Sequence, residues 1–154
     1  MLNLCYFEEF LYTQGDFYKL KNDIIYYSVG ALLYCPANKK TIADSVIHEK
    51  FGTKYSLALC LEDTINDNYV TEAEQDLISS IHQIFESFQD YPFYLPKIFI
   101  RVRNAGQIER LTKAFGESIK VITGYIIPKF TTDNASSYIE EMIRANEQAS
   151  RKLY

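Results

Sequence analysis

The chain has no tryptophan and only three cysteines, Cys5, Cys35 and Cys60, scattered over 154 residues. Without short paired spacings, these thiols make neither a disulfide framework nor a zinc site; Cys35 and Cys60 lie in apolar runs and read as small core residues in a reducing compartment. The two histidines, His48 and His82, fall on helix-like segments with no Cys, His or suitably spaced carboxylate beside them, so they read as packed or solvated imidazoles. Positive charge is not in excess: the formal net charge is -4, which leaves no basic patch for nucleic acid or an anionic membrane. No apolar run reaches the roughly 18 residues of a membrane span. The start, Met1-Leu2-Asn3-Leu4, soon meets Glu8 and Glu9 instead of a basic signal-peptide region, so a cytoplasmic protein is expected. No G-x-G-x-x-G or Walker pattern occurs at a strand-helix junction, which argues against a nucleotide-binding sheet.

What remains is the composition of a soluble globular domain, 47% hydrophobic and 23% charged, and its length suits one domain better than two. Aromatics are plentiful, with 13 Tyr and 10 Phe, and they crowd into residues 1–27 without a clean period. There Leu4, Phe7 and Leu11 fit a short helix ended by Gly15-Asp16, a segment expected to cover one side of the domain.

From residue 28 onward the pattern is regular. Its centre is Ser56-Leu57-Ala58-Leu59-Cys60-Leu61, a run without alternation, as in a strand covered on both faces, followed at once by Glu62 and Asp63. Before it, Val29–Cys35 reads as a strand stopped by Pro36, and Asn38 as the cap of a helix carrying Ile42, Val46 and Phe51, closed by Gly52. After it, Thr71 and Glu74 form a capping box for a helix starting near Glu72, with Leu77, Ile78, Ile81, Ile84, Phe85 and Phe88 on one face. A two-proline connection leads to a third strand, Lys97–Arg103. Asn104 and Gln107 cap the next helix, which Gly116 stops. Val121–Ile127 reads as a fourth strand, and a last helix begins near Asp133 or Asn134, with Tyr138, Ile139, Met142 and Ile143 on one face.

Strands alternating with helices imply parallel pairing through right-handed crossovers. Such βα repeats form either a small open sheet, as in flavodoxin-like domains, or the N-terminal half of a TIM (β/α)8 barrel, which normally takes about 250 residues. In both, ligands bind at the rim where strands end. That rim gathers Asn38, Glu62, Asp63, Arg101, Arg103 and Lys129, a set able to grip an oxyacid, with Arg as a bidentate clamp and Lys as a point charge. Structural roles compete with this for some of them. Asn38 serves most simply as a cap, Lys129 as a solvated side chain, and Arg103 as a partner for Glu62 or Asp63. Arg101, flanked by Ile100 and Val102, carries a charge into an apolar strand, and that is costly unless it is used.

Taken in order, four pieces resemble the HpcH/HpaI aldolase and citrate lyase β-subunit family: Ala31-Leu32-Leu33-Tyr34-Cys35-Pro36-Ala37-Asn38, Cys60-Leu61-Glu62-Asp63-Thr64, Ile100-Arg101-Val102-Arg103-Asn104 and Ile126-Ile127-Pro128-Lys129. The resemblance implies a TIM barrel, magnesium, and cleavage or formation of carbon-carbon bonds in oxo- or hydroxy-acids, often as CoA thioesters. It implies that Arg101 grips the substrate carboxylate, and that Glu62 and Asp63 sit near the metal and its waters. Arg103 stands where the family's Arg-Val-Asn pattern has none, which implies a more anionic ligand, such as a phosphorylated one. The family's direct metal ligands lie on the fifth and sixth strands. The expectation is therefore a truncated chain, or a half barrel that closes against another copy or chain, inactive as a lyase by itself.

Overall fold

A strand without polar alternation needs cover on both faces, and Ser56–Cys60 has it: all five residues are buried. Around this strand the computed structural model, which describes residues 29–154, builds one parallel sheet. Its strands are β1 (Leu32–Pro36), β2 (Ser56–Cys60), β3 (Lys97–Arg101) and β4 (Ile122–Ile126), in the order β1-β2-β3-β4. Helices α1 (Ile42–Ile47), α2 (Val70–Asp90) and α3 (Gly106–Phe115) cross between them, and α4 (Ala135–Ala149) follows β4. An open doubly wound sheet reverses its strand order at a switch point, whereas here spatial order follows chain order, as in a barrel. The parallel βα units thus form half of a TIM barrel, and the flavodoxin-like order is ruled out. The expected helix at Leu4, Phe7 and Leu11 and the rest of the aromatic segment lie outside the described residues.

The main apolar cluster lies on one face of this sheet. Leu57, Leu59, Ile98 and Ile100 share one sheet face, and they pack into a single cluster with Val46, Ile81, Ile84, Ile108 and Leu111 from the helices. Burying each such aliphatic side chain contributes roughly 1.5–3 kcal/mol, enough to hold the helices to that face. The other face aligns Tyr34, Ala58, Phe99 and Gly124 in one row, then Pro36, Cys60, Arg101 and Ile126 in the next, nearer the strand ends.

Several element boundaries differ from expectation for local reasons. α1 begins after Thr41, not Asn38, and ends at Ile47, because Glu49 turns the chain with φ +50 well before Gly52. α2 starts at Val70, directly after a 3-10 turn over Asp67–Tyr69. The Thr71 capping box goes unused there, since Glu74 bonds to Gln107 and Arg110 instead. Its inward stripe is as expected: Leu77, Ile81 and Ile84 are fully buried, with Ile78 and Phe85 packed against the cluster. α3 does use Asn104, whose Oδ1 accepts the Gln107 N–H at 3.1 Å, and Gly116 stops it with φ +52. On α4, Tyr138 is buried, yet Ile139 and Ile143 face outward.

β4 receives a further partner. Tyr125 N–H donates to Tyr154 O at 2.7 Å and Tyr154 N–H to Thr123 O at 3.1 Å, the hydrogen-bond pattern of a parallel pair with Tyr154 opposite Gly124. Glycine is required there: a Cβ on Gly124 would lie 1.8 Å from Tyr154 O.

Candidate functional site

Beyond each strand the ladder runs on by one residue. Ala37 N–H bonds to Cys60 O, Leu61 N–H to Arg101 O, and Val102 N–H to Ile126 O, so the strands end level and their following residues share one rim. Arg101 closes β3 on the face opposite the helices, opposite Cys60 of β2 and Ile126 of β4. Its Nη2 donates both to Glu62 Oε2 and, at 2.7 Å, to Asp63 Oδ2. Lys129, two residues beyond Ile127, brings Nζ to 2.9 Å from Glu62 Oε1. Glu62, Asp63, Arg101 and Lys129 therefore form one cluster with as many positive as negative charges.

The members differ in access. The Glu62 side chain is 10% exposed and Arg101 22%, whereas Asp63 is 58% and Lys129 79% exposed. Lys129's hydrogen bond, helped by Asp63 and by the charge of Arg101, outweighs burial and holds the Glu62 carboxyl below its ordinary value of 4.5. The same contact to Glu62 raises the Lys129 amine above its ordinary 10.5. Burial opposes the charge on Arg101, but Glu62 and Asp63 more than offset it, so the guanidinium is raised. At neutral pH Lys129 is thus an ammonium and no free amine nucleophile, and Glu62 is an acceptor and no general acid. Tyr138 lies near enough to feel Glu62: burial first, and then that carboxylate, raise its phenol.

Lys129 is aimed by a turn. It has φ +48, unusual for a residue with a side chain, and Asn134 holds it there: Nδ2 donates to Lys129 O at 2.9 Å while Oδ1 accepts the Thr131 N–H at 2.8 Å. The sequence showed Asn134 only as the start of a helix. The turn-forming run Thr131-Thr132-Asp133-Asn134 was its one signal.

Arg103 is placed elsewhere. β3 ends at Arg101, so the alternation that would align residues 101 and 103 no longer applies. Its guanidinium instead reaches into the β2–α2 connection: Nε donates to Leu61 O at 2.7 Å, Nη2 to Glu62 O at 3.1 Å and to Ile65 O, and Nη1 pairs with Asp67. Its own N–H donates to Gln107 Oε1 at 2.7 Å, and Gln107 Nε2 to Glu74 Oε1 at 2.6 Å, which ties the loop to α2 and α3. Asn38 is exposed in the β1–α1 turn and makes no hydrogen bond or ion pair among the described residues.

For a metal the fit is poor. Among the described residues no three Asp, Glu, His or Cys side chains gather closely enough to hold an ion. Glu62 and Asp63 have Oε1, Oε2 and Oδ2 already paired with Lys129 or Arg101, whereas a magnesium ion needs an octahedron of free oxygens. Among the described residues these side chains, as paired, offer a divalent cation no set of direct ligands.

A helix-backed parallel sheet in chain order, with charged side chains collected where its strands end, defines a barrel-type protein, a class whose chemistry sits at the C-terminal rim. Residues 23–154 match the family described as C-C bond lyase of the TIM-barrel fold, so the chain belongs to that family. Comparison with curated proteins gave no match. Among the described residues no helix is long and apolar enough to cross a membrane.

Proposed function

We propose that the chain supplies the substrate-carboxylate half of a lyase of the HpcH/HpaI aldolase and citrate lyase β-subunit type, acting on oxo- or hydroxy-acids or their CoA thioesters. The observation that carries this reading is Arg101: a largely buried guanidinium at a strand end, kept charged by two carboxylates, with a cationic Lys129 beside them. Arg101 binds and orients the acid; Lys129 adds a second positive charge for a second acidic group. Glu62 stays ionised and holds both cations in place. Magnesium belongs to this reading as an expectation from the family. Glu62 and Asp63 would reach it only through water, and the Lewis-acid chemistry it supplies when bound is stabilisation of an enolate. Arg103 holds the loop, so the guanidinium count no longer argues for a phosphorylated ligand. The test is a titration of the chain with malate, followed at the Arg101 guanidinium by NMR. Its Nε–Hε resonance is expected to shift at millimolar ligand, and an unmoved resonance sinks the assignment.

A second reading is a half-barrel assembly module that docks onto another copy or chain. It is favoured by the exposed apolar side chains of Leu33 on β1 and Phe51 near it, with Tyr34 48% exposed on the sheet's other face.

A further inference from the structure

Arg101 Nη2 is occupied twice, by Glu62 and by Asp63, and the two occupants are not equally free to leave. Glu62 is 10% exposed, is also held by Lys129 at 2.9 Å, and has its backbone carbonyl fixed by Arg103 Nη2 at 3.1 Å. Taking it away would strand buried charge. Asp63 is 58% exposed, and its partners among the described residues are Arg101, at 2.7 Å, and the Glu62 carboxyl beside it. Turning that carboxylate into water costs little, because a half-solvated pair gives little stability.

We propose that Asp63 is an internal competitor for Arg101: it occupies the place of a ligand carboxylate and swings out when a small carboxylic acid binds, while Glu62 stays. The inference rests on the carboxylate reading above and adds a specificity role to it. Any incoming acid displaces a carboxylate already in place, so monoanions with no further contact are disfavoured. A dicarboxylate gains from Lys129, whose ammonium is 79% exposed and within reach of the same rim. The exchange forms one guanidinium-carboxylate pair for each one broken and leaves the charge on Arg101 balanced.

The experiment is calorimetric titration of the whole chain with malate, comparing wild type with Asp63→Asn, Asp63→Ala, Asp67→Asn and Arg101→Gln, each checked to be folded by a cooperative unfolding transition well above the titration temperature. Removing Asp63 is expected to tighten binding roughly twofold to fivefold, the range an exposed pair supports. Asp67→Asn, which neutralises a charge on the same loop without touching Arg101, leaves affinity unchanged. Arg101→Gln abolishes binding. If the Asp63 variants bind as wild type or more weakly while Arg101→Gln loses binding, the competitor role is wrong and the carboxylate reading stands. Equal tightening by Asp67→Asn also overturns the competitor role, by reducing the effect to general electrostatics. Undiminished binding by Arg101→Gln overturns the carboxylate reading itself, and no binding by any variant overturns both.

Discussion

Two arginines two positions apart do different work, and the difference comes from where a strand stops. Arg101 is the last residue paired in β3 and keeps the strand's facing, whereas Arg103, past the end, turns back over a neighbouring loop. Glu62 ties the cluster together and makes it sensitive to acid. Its carboxyl is held below 4.5, chiefly by the Lys129 hydrogen bond, so folding draws stability from the ionised form. That contribution is complete above 4.5 and fades as pH falls through the lowered value of the folded chain. Arg101 and Lys129, both raised by these carboxylates, contribute below their ordinary values while the carboxylates are ionised, and lose that contribution as alkali removes their protons. Glu62→Gln is therefore expected to be less stable than wild type at neutral pH and to converge on it in acid. Urea midpoints measured across that range check this, and a gap that stays constant with pH refutes it.

At the scale of elements, the β2–α2 connection is shaped by one side chain more than by its own sequence. Arg103 satisfies the carbonyls of Leu61, Glu62 and Ile65, and Gln107, 1% exposed, anchors its backbone. Arg103→Ala takes the donor from the Leu61 and Ile65 carbonyls, while Glu62 O keeps the Ile65 N–H, and is expected to cost about 1–3 kcal/mol. Denaturant unfolding gives that loss, and hydrogen exchange should show residues 62–69 opening before the rest. On the other side of the sheet, Gly124 admits Tyr154 against β4. A methyl there meets the Tyr154 backbone, so Gly124→Ala is expected to detach residues 153–154 and cost roughly 1–3 kcal/mol, with faster exchange of the Tyr125 amide as the readout.

At the scale of the whole molecule, a half barrel presents an unusual surface. Among the described residues β1 pairs only with β2, and the apolar side chains of Leu33 and Phe51 stand exposed near that edge. Apolar surface beside an unpaired strand edge favours association with a like surface. Size exclusion with light scattering is expected to give a mass above the 17.9 kDa of one chain, and Leu33→Lys to move it toward that value. A wild-type mass of one chain at all concentrations counts against the assembly reading.

The order of strands and helices was legible because each strand is a short apolar run between turn residues and each helix carries an apolar stripe; Leu77, Ile81 and Ile84 are buried as their spacing requires. The rim was legible too, since parallel strands end together: Arg101 ends β3, Glu62 and Asp63 follow β2, and Lys129 follows β4. What the amino-acid order could not decide was anything set by a contact between distant segments. Open sheet or barrel depends on which strands become neighbours, and both architectures share one local pattern. Whether Arg103 joins the site depends on three carbonyls some forty positions earlier in the chain. Periodicity reports which way a side chain leaves its own strand or helix; only tertiary structure brings to it the partner that sets its role.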